Sequence, residues 1–325
     1  KIMMAIVILL ATLTNSFAGN SVYIQQDNQT SAGSVYIKQD GATNKFGIST
    51  SAPFVIDGPN LTIIIKQLGN SNETDDTGDM KFKGSNMTFD YTATGNSNKL
   101  RLDLGDTDAD GHYYDIDVTG SSNIVDISGH TSDDIQDTHI DLDIRGDSND
   151  FWAYVRGDSH FLYVLMSGDS NDVEFYGATI DIYIIGSSNQ VHMASWGANN
   201  YQVHDVIGDS NILDVHPDAV GSHVRMIQYG DNNYMKTVTS GNNNVYRYYG
   251  SGGNNNAQVY IYTSGAVVEL KQTGGSNEAN LTVSGDSIYD YTLLVDQDGS
   301  DNCTYSFNRS NQTADTTVQL NNSGC

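Results

Sequence analysis

The feature that most constrains this chain is a short motif, Gly-Asp-Ser-Asn, that recurs at nearly fixed spacing near the middle of the sequence. Copies and close variants begin at Gly146, Gly157, Gly168, Gly186, Gly197 and Gly208. Most steps are about 11 residues long, a period that indicates stacked units burying their apolar faces against one another. The single longer step, from Gly168 to Gly186, consists of two shortened units that meet at Gly177.

Each unit has the pattern of one tight turn followed by one strand. After the first motif, Phe151, Ala153 and Val155 alternate with Trp152 and Tyr154. Such alternation is typical of a strand whose more apolar side faces a core. In the turn, Gly tolerates positive φ, while Asp, Ser and Asn hydrogen-bond to nearby backbone. The sequence therefore predicts an all-β fold, a two-sheet β-solenoid in which each full turn, or rung, contains about 22 residues and two strand–turn units.

The repeat extends well beyond the central third. The segment Ser21–Gln26 recurs almost unchanged as Ser34–Gln39, and turn glycines continue to Gly299. Spacing before Gly146 is looser, about 25 residues per rung, which predicts loop insertions near residues 72–79, 105–112 and 130–138. A solenoid grows without needing a second core, so we expect residues 19–325 to form a single elongated domain.

Residues 1–18 have the composition of a secretory signal peptide. One positive charge precedes an apolar run from Ile2 to Ala11, and small residues end the segment at Ala18. The apolar run is too short for a membrane span. We therefore expect the mature chain to be secreted, extracellular or held at the cell surface, with no membrane span of its own.

The charge of the chain excludes some classes of partner. The formal net charge is −25, with only 15 basic residues. This balance argues against binding to nucleic acid or to anionic membrane surfaces. It also opposes self-association unless salt or divalent cations screen the charge.

The two cysteines, Cys303 and Cys325, are separated by the length of one rung. Equivalent positions in successive rungs lie about 4.8 Å apart, which is within the Cα range of a disulfide. In an exported protein this spacing favours a bridge that closes the last rung. Two free thiols, or a bond to another molecule, are the alternatives.

Five turns share a longer pattern, Gln-x-Gly-x-x-Asn, beginning at Gln39, Gln67, Gln228, Gln272 and Gln297. At this spacing the pattern resembles the curlin repeat of bacterial curli fibre subunits. The resemblance implies inward Gln and Asn side chains stacked in amide ladders, and subunits that add end to end as extracellular amyloid. The expected ladder residues are Gln39, Asn44, Gln67, Asn72, Asn98, Asn123, Asn149, Asn171, Asn189, Asn211, Gln228, Asn233, Gln272 and Asn277.

The chain departs from that pattern in its central rungs. There the Gln position is occupied by apolar residues such as Val118, Ile144, Met166 and Ile184. The chain is also longer and more acidic than the usual subunit and contains loops. These departures leave the predicted fold unchanged and bear on whether the ends of the solenoid polymerise or are capped.

An acidic segment resembles the head of a calcium-binding loop. Asp106, Asp108 and Asp110 occupy positions 1, 3 and 5 and are followed by a glycine, His112 offers a carbonyl at position 7, and Asp117 falls at position 12. Position 12 has Asp rather than the bidentate Glu. A structural calcium site is one interpretation, and a solvated acidic insertion is the other.

Catalysis is not indicated. Gly-Asp-Ser occurs five times, with serines at Ser148, Ser159, Ser170, Ser210 and Ser287. A nucleophile needs one copy, whereas copies in register are typical of turns, and no His and Asp are placed to activate a serine. We predict that the protein is not an enzyme; a β-helical polysaccharide-degrading enzyme would need an acid/base cluster that the sequence lacks.

Two functions fit these features. The first is a secreted, curlin-like subunit or minor component of an extracellular amyloid-type fibre in adhesion or biofilm matrix, whose partners are copies of itself or related subunits. The second is a non-polymerising, calcium-stabilised β-solenoid adhesin or surface or phage fibre module. Its outward aromatic residues, Trp152, Tyr154, Tyr163 and Tyr183, would either pack across strands or form a stacking platform for glycans or another surface.

Overall fold

The computed structural model confirms the predicted all-β, two-sheet β-solenoid. It describes residues 11–13, 20–22, 25–26, 32–46, 55–74, 80–104, 111–128, 135–155, 157–158, 161–177, 179–195, 201–217, 220–240, 242–262, 265–288, 291–298, 304–312 and 316–323. These residues form strands and turns without a helix, and the strands pair in parallel in two large sheets.

The chain divides into two compact units, residues 1–165 and 166–325, which are described separately. A single domain over residues 19–325 stays a prediction. The strands of the first unit are β1 (Ala11–Leu13), β2 (Asn20–Val22), β3 (Gln25–Gln26), β4 (Gly33–Asp40), β5 (Thr43–Phe46), β6 (Val55–Asp57), β7 (Leu61–Leu68), β8 (Ser71–Thr74), β9 (Met80–Lys83), β10 (Thr88–Thr94), β11 (Ser97–Asp103), β12 (Tyr113–Thr119), β13 (Ser122–Ser128), β14 (Ile135–Gln136), β15 (His139–Arg145), β16 (Asp150–Tyr154), β17 (Gly157–Asp158) and β18 (Phe161–Ser167), which crosses the boundary between the units.

In the first unit, one sheet has the order β1-β4-β7-β10-β12-β15 and the other β2-β5-β8-β11-β13-β16. We call these the first and second sheets. Strands β3, β6 and β9 pair beside the second sheet, and β14 pairs with β17.

The second unit continues the same alternation of strands. Its strands are β19 (Asp172–Gly177), β20 (Ile180–Ile185), β21 (Gln190–Ser195), β22 (Tyr201–Ile207), β23 (Ile212–Pro217), β24 (His223–Tyr229), β25 (Tyr234–Thr239), β26 (Val245–Ser251), β27 (Asn256–Ile261), β28 (Val267–Thr273), β29 (Glu278–Ile288), β30 (Tyr291–Asp298), β31 (Thr304–Gln312) and β32 (Thr316–Ser323). Even-numbered strands β20–β32 belong to the first sheet and odd-numbered strands β19–β31 to the second.

The strand register matches the spacing read from the sequence. In the second unit Asn256 pairs with Glu278, which lies one regular rung further along the chain, and the shortened rung pairs Asp172 with Gln190. In the first unit Ser97 pairs with Ser122, so that this rung is longer than the regular one. The looser spacing predicted before Gly146 is therefore confirmed.

The core lies between the two sheets and follows the period-two pattern. Phe89, Tyr114 and Ile140 are Cα partners on successive strands, and all three are buried. Burying a side chain of this size contributes about 1.5–3 kcal/mol. Because paired strands keep a constant register, inward residues of one rung stack on inward residues of the next, and this stacking also positions the polar ladders.

Several predictions fall largely on residues outside the described ranges. They include most of residues 1–18, most of the three loop insertions, and both Cys303 and Cys325. Within these segments, Ala11–Leu13 pairs with Ile37–Gln39 in the first sheet, and Asn72 belongs to β8. The signal peptide and the disulfide stay predictions.

Candidate assembly site: buried amide ladders

All of the Gln and Asn residues expected to form ladders are buried. Their exposed fractions are 2% or less. A buried amide that lacks hydrogen-bond partners costs about 1–3 kcal/mol, so the stability of each rung depends on how these side chains are paired.

In the first unit the asparagines form a continuous side-chain ladder. Asn44 Nδ2 donates to Asn72 Oδ1 at 2.8 Å, and the same bond recurs from Asn72 to Asn98, from Asn98 to Asn123 and from Asn123 to Asn149 at 2.7–2.8 Å. The second hydrogen of the Asn44 amide is also used, because Nδ2 donates to the Leu68 carbonyl at 2.9 Å. An asparagine amide has two donor hydrogens, and this arrangement occupies both.

In the second unit the ladder has a different chemistry. The backbone N–H of Asn211 donates to Asn233 Oδ1, and that of Asn233 donates to Asn255 Oδ1, each at 2.9 Å. The bond recurs from Asn171 to Asn189, from Asn189 to Asn211 and from Asn255 to Asn277. The side-chain amide turns back instead, so that Asn211 Nδ2 donates to the carbonyl of Gly208 at 2.9 Å.

The change of ladder follows a change of turn geometry. From Gly146 onward, each described glycine that opens an asparagine turn has φ between 111° and 145°, and the residue two positions later has φ between 56° and 61°. Ser148, Ser170, Ser188 and Ser210 are such residues, whereas the residues around the earlier turn glycines Gly69, Gly95 and Gly120 keep negative φ. The two kinds of bond meet where the turn changes, because Asn123 donates to Asn149 Oδ1 both from Nδ2 at 2.7 Å and from its backbone N–H at 3.2 Å.

The aspartate of the motif forms a second, exposed ladder. Asp209 Oδ1 accepts from the backbone N–H of Asp231 at 2.7 Å, and Asp231 Oδ1 accepts from that of Gly253 at 2.6 Å. Asp169 accepts in the same way from Ser187. This explains why Asp recurs after the turn glycine, because it satisfies an amide of the next rung that no strand carbonyl reaches.

The glutamines stack where two occur in successive rungs. Gln67 Nε2 donates to Gln39 Oε1 at 2.7 Å, and Gln297 Nε2 donates to Gln272 Oε1 at 2.9 Å. The described ladder between Gln39 and Gln67 ends at Ala93, the Cα partner of Gln67 on β10. There the hydroxyl of Tyr91 donates to Gln67 Oε1 at 2.7 Å.

A tyrosine has the same role in the second unit. Gly250 occupies the glutamine position between Gln228 and Gln272, and the Tyr248 hydroxyl donates to Gln228 Oε1 at 3.0 Å. A Cβ on Gly250 would lie 2.5 Å from that hydroxyl, so the glycine makes room for it. Burial raises the pKa of Tyr248, so its phenol stays protonated as a donor.

Sequence reasoning missed two buried amide residues. Asn255 continues the asparagine column, and Asn244 accepts from the Ser222 N–H at 2.7 Å in another column. Gln297, which the Gln-x-Gly-x-x-Asn pattern includes, continues the glutamine column. The signal for Asn255 was present, because Gly252 follows Gly230 by one regular rung.

The calcium prediction is only partly covered by the structure. Asp106, Asp108 and Asp110 lie outside the described residues. The carbonyl of His112 accepts from the His139 N–H at 2.8 Å, and Asp117 is an outward residue within β12. Among the described residues, no group of three or more His, Cys, Asp or Glu side chains is arranged to hold a metal ion. A calcium site stays a prediction.

Outward aspartates form an acidic patch on the first sheet. Asp115 pairs with Asp90 on one side and Asp141 on the other. Partial burial, followed by the charges of Asp117, Asp141 and Asp90, raises the pKa of Asp115. Like charges directly opposite one another destabilise a sheet, so these aspartates oppose the pairing of β10, β12 and β15.

The four outward aromatic residues singled out in the sequence lie on three strands. Trp152 and Tyr154 stack on β16 of the second sheet, with ring centroids 6.2 Å apart. Tyr163 lies on β18 and Tyr183 on β20, both strands of the first sheet. A stacking platform stays a prediction.

The Gly-Asp-Ser serines lie mainly in turns. Ser148, Ser170 and Ser210 have φ of 58–60° at exposed turn positions, whereas Ser287 lies within β29 and Ser159 falls outside the described residues. Some turn types require positive φ at one position, and these serines occupy that position in successive copies of the motif.

No family model, no curated protein and no solved structure matches this chain. The part of the chain that the structure describes contains no helix long and apolar enough to cross a membrane.

Proposed function

We propose that this protein is a secreted structural subunit, or minor component, of an extracellular curlin-like fibre that acts in adhesion or biofilm matrix. Copies add end to end, each new rung pairing its strands with the last rung of the copy before it. The observation that carries the proposal is the asparagine column of each unit, in which every rung offers the next the same hydrogen bonds.

Strand addition at a solenoid end is favoured by this repetition. A terminal rung leaves the backbone groups of its strands unpaired, which makes it a template for another chain. It also leaves inward amides without a partner on one side. A second copy with in-register Asn and Gln satisfies both sets of groups, as stacked amides do in cross-β assemblies.

The experiment is negative-stain electron microscopy of the full chain and, in parallel, of the chain that begins at Gly19, followed over days with an amyloid dye. We expect unbranched fibres that bind the dye and diffract with a spacing of about 4.7–4.8 Å along the fibre axis. Single particles that persist at every time point would contradict the proposal.

A variant tests whether the ladders carry assembly. Replacing Asn44, Asn72, Asn233 and Asn277 together by Ala removes amide contacts in both units, and we expect a longer lag before fibres form. The control is Leu213→Ala, which empties a buried apolar position and lowers stability without touching an amide. Equal delay in both variants would assign the effect to stability alone.

The second candidate, a non-polymerising adhesin or fibre module that binds glycans or a cell surface, is favoured by exposed aromatic side chains. Tyr201, Tyr229 and Tyr262 are about half exposed, at 53%, 50% and 47%, and Tyr260 stacks on Tyr262 with centroids 6.4 Å apart. Aromatic faces of this kind bind sugars by stacking. Persistent single particles that bind a polysaccharide would favour this function.

A further inference from the structure

An apolar surface with an ordered arrangement of charges lies on the outside of the first sheet in the second unit. It consists of the outward residues of β20, β22, β24 and β26. Ile185, Tyr201 and Tyr229 are exposed there at 43%, 53% and 50%. We call it the β20–β26 face. Ile185, Ile207 and Tyr229 are Cα partners on successive strands, whereas Tyr201 lies at the other end of β22. Contiguous exposed apolar surface marks an interaction site.

Two residues at the centre of this face are already covered. Val203 and Ile227 alternate outward on β22 and β24, yet each is only 8% exposed. Their Cα partners carry long side chains, Arg225 beside Val203 and Tyr249 beside Ile227. Val203 and Ile227 are therefore packed apolar residues at the base of this surface, beneath its exposed side chains.

The charges on the face are separated by sign. Asp181 and Asp205 lie on β20 and β22, and Arg225 and Arg247 lie on β24 and β26. The pKa of Asp181 is raised, first by partial burial and then by the charge of Asp205, while Arg225 opposes the shift. Arg247 also forms an ion pair with Glu269 on β28, with Nε 3.2 Å from Oε2, so a contact with Asp181 of a second copy would add a second carboxylate beside this guanidinium.

We propose that the β20–β26 face pairs with the same face of a second copy, about a two-fold axis that runs parallel to the strands between β22 and β24. Rotation about that axis places β20 of one copy over β26 of the other. Asp181 then faces Arg247 of the second copy, and Ile207 faces Tyr229. A two-fold interface requires a surface complementary to itself, and this arrangement of charge and apolar residues meets that requirement.

The pairing is lateral and does not depend on growth at the ends, so it holds whether or not fibres form. It brings two solenoids together in opposite directions. Opposite charges across an interface fix its register, and like charges in the wrong register cost several kcal/mol. Two copies that run in the same direction would not gain these pairs, because β20 would then lie over β20 of the second copy and Asp181 would stay away from Arg247 on β26.

The test is sedimentation equilibrium of the freshly purified full chain at about 150 mM NaCl. We expect a monomer–dimer equilibrium. Asp181→Arg and Arg247→Glu should each weaken dimerisation at least about tenfold, and the double variant should restore it to within about threefold of wild type. Rescue by the double exchange is the result that a merely destabilised fold would not give.

Lys45→Glu is the matched control. Lys45 forms a surface ion pair with Glu73 at 3.1 Å on the second sheet of the first unit, as Arg247 does with Glu269 at 3.2 Å, and the substitution reverses its charge. It should leave dimerisation unchanged. A wild-type chain that stays monomeric, a double variant without rescue, or equal weakening by Lys45→Glu would each overturn the proposal. Polysaccharide binding by a monomer, lost on Tyr201→Ser or Tyr229→Ser, would assign the face to a glycan instead and overturn it as well.

Discussion

At the residue scale, His204 is a polar side chain of the described core whose ring nitrogens lack hydrogen-bond partners. It is fully buried, its Cα partners are Ile182 and Met226, and neither ring nitrogen has a hydrogen-bond partner among the described residues. Burial lowers the pKa of His204 from 6.5 to about 3. The imidazole is therefore neutral in the folded protein well above pH 3.

We expect His204→Leu to raise the free energy of unfolding by about 1–3 kcal/mol at pH 7, because it removes a buried polar group without partners. The gain should grow at pH 5 by about 2 kcal/mol, since unfolding releases a histidine that binds a proton below its ordinary pKa and the folded state does not. The wild-type protein thus loses stability between pH 6.5 and about 3.

Urea unfolding at both pH values measures this difference. His223→Leu, on the exposed side of the neighbouring strand, is the control and should change stability by less than about 0.5 kcal/mol. A gain for His204→Leu that is the same at pH 7 and pH 5 would show that the native imidazole binds a proton as readily as the unfolded one.

Single residues also show which side-chain roles could be predicted from the sequence and which could not. The inward position of the ladder asparagines follows from period-two alternation after a turn glycine, so it could be predicted. The roles of Tyr91 and Tyr248 could not, because each acts on a glutamine in another rung. That contact depends on register between rungs and on the space left by Ala93 and Gly250, neither of which is a local property of the sequence.

At the scale of the element, the same motif spacing occurs with two different turn conformations. Gly-x-x-Asn occurs both before and after Gly146, yet the backbone differs in the sign of φ two residues after the glycine. The rung length and strand order followed from spacing alone. The kind of ladder did not, because the hydrogen bond that the asparagine makes depends on a dihedral angle that Ser, Asn and Asp all tolerate.

Gly252 and Gly253 are adjacent in one turn but differ in the space around the Cα atom. Gly252 has φ of 125°, and a Cβ there would lie 2.1 Å from the Gly230 carbonyl oxygen. At Gly253 the nearest atom is 3.4 Å away, an ordinary contact. We expect Gly252→Ala to destabilise by at least about 3 kcal/mol, through strain and a forced rung separation, and Gly253→Ala by less than about 1 kcal/mol.

Thermal unfolding of the two variants, followed by circular dichroism, checks this prediction. The variants share composition and differ by one position in the chain, so each is the control for the other. Equal losses would mean that the turn relaxes freely and that close stacking of turns does not hold the rungs together.

At the scale of the whole molecule, charge opposes the end-to-end assembly that we propose. The formal net charge is −25, and acidic side chains recur at equivalent positions of successive rungs, as Asp209 and Asp231 do in the turns. Each copy added to a fibre continues these columns of like charge. The repulsion is long-ranged at low salt and is screened beyond about 8 Å at physiological ionic strength.

We therefore expect fibre growth to accelerate as NaCl is raised from about 10 mM to about 150 mM, over which the screening length falls from about 30 Å to about 8 Å. The lag time of amyloid-dye fluorescence measures this rate. CaCl2 and MgCl2 at equal ionic strength separate screening from binding. If the Asp106–Asp117 segment binds calcium, only calcium should shorten the lag further, and Asp108→Asn should abolish that extra effect while the response to NaCl is kept. A lag that lengthens with NaCl would mean that attraction between charges, rather than the amide ladders, drives the ends together.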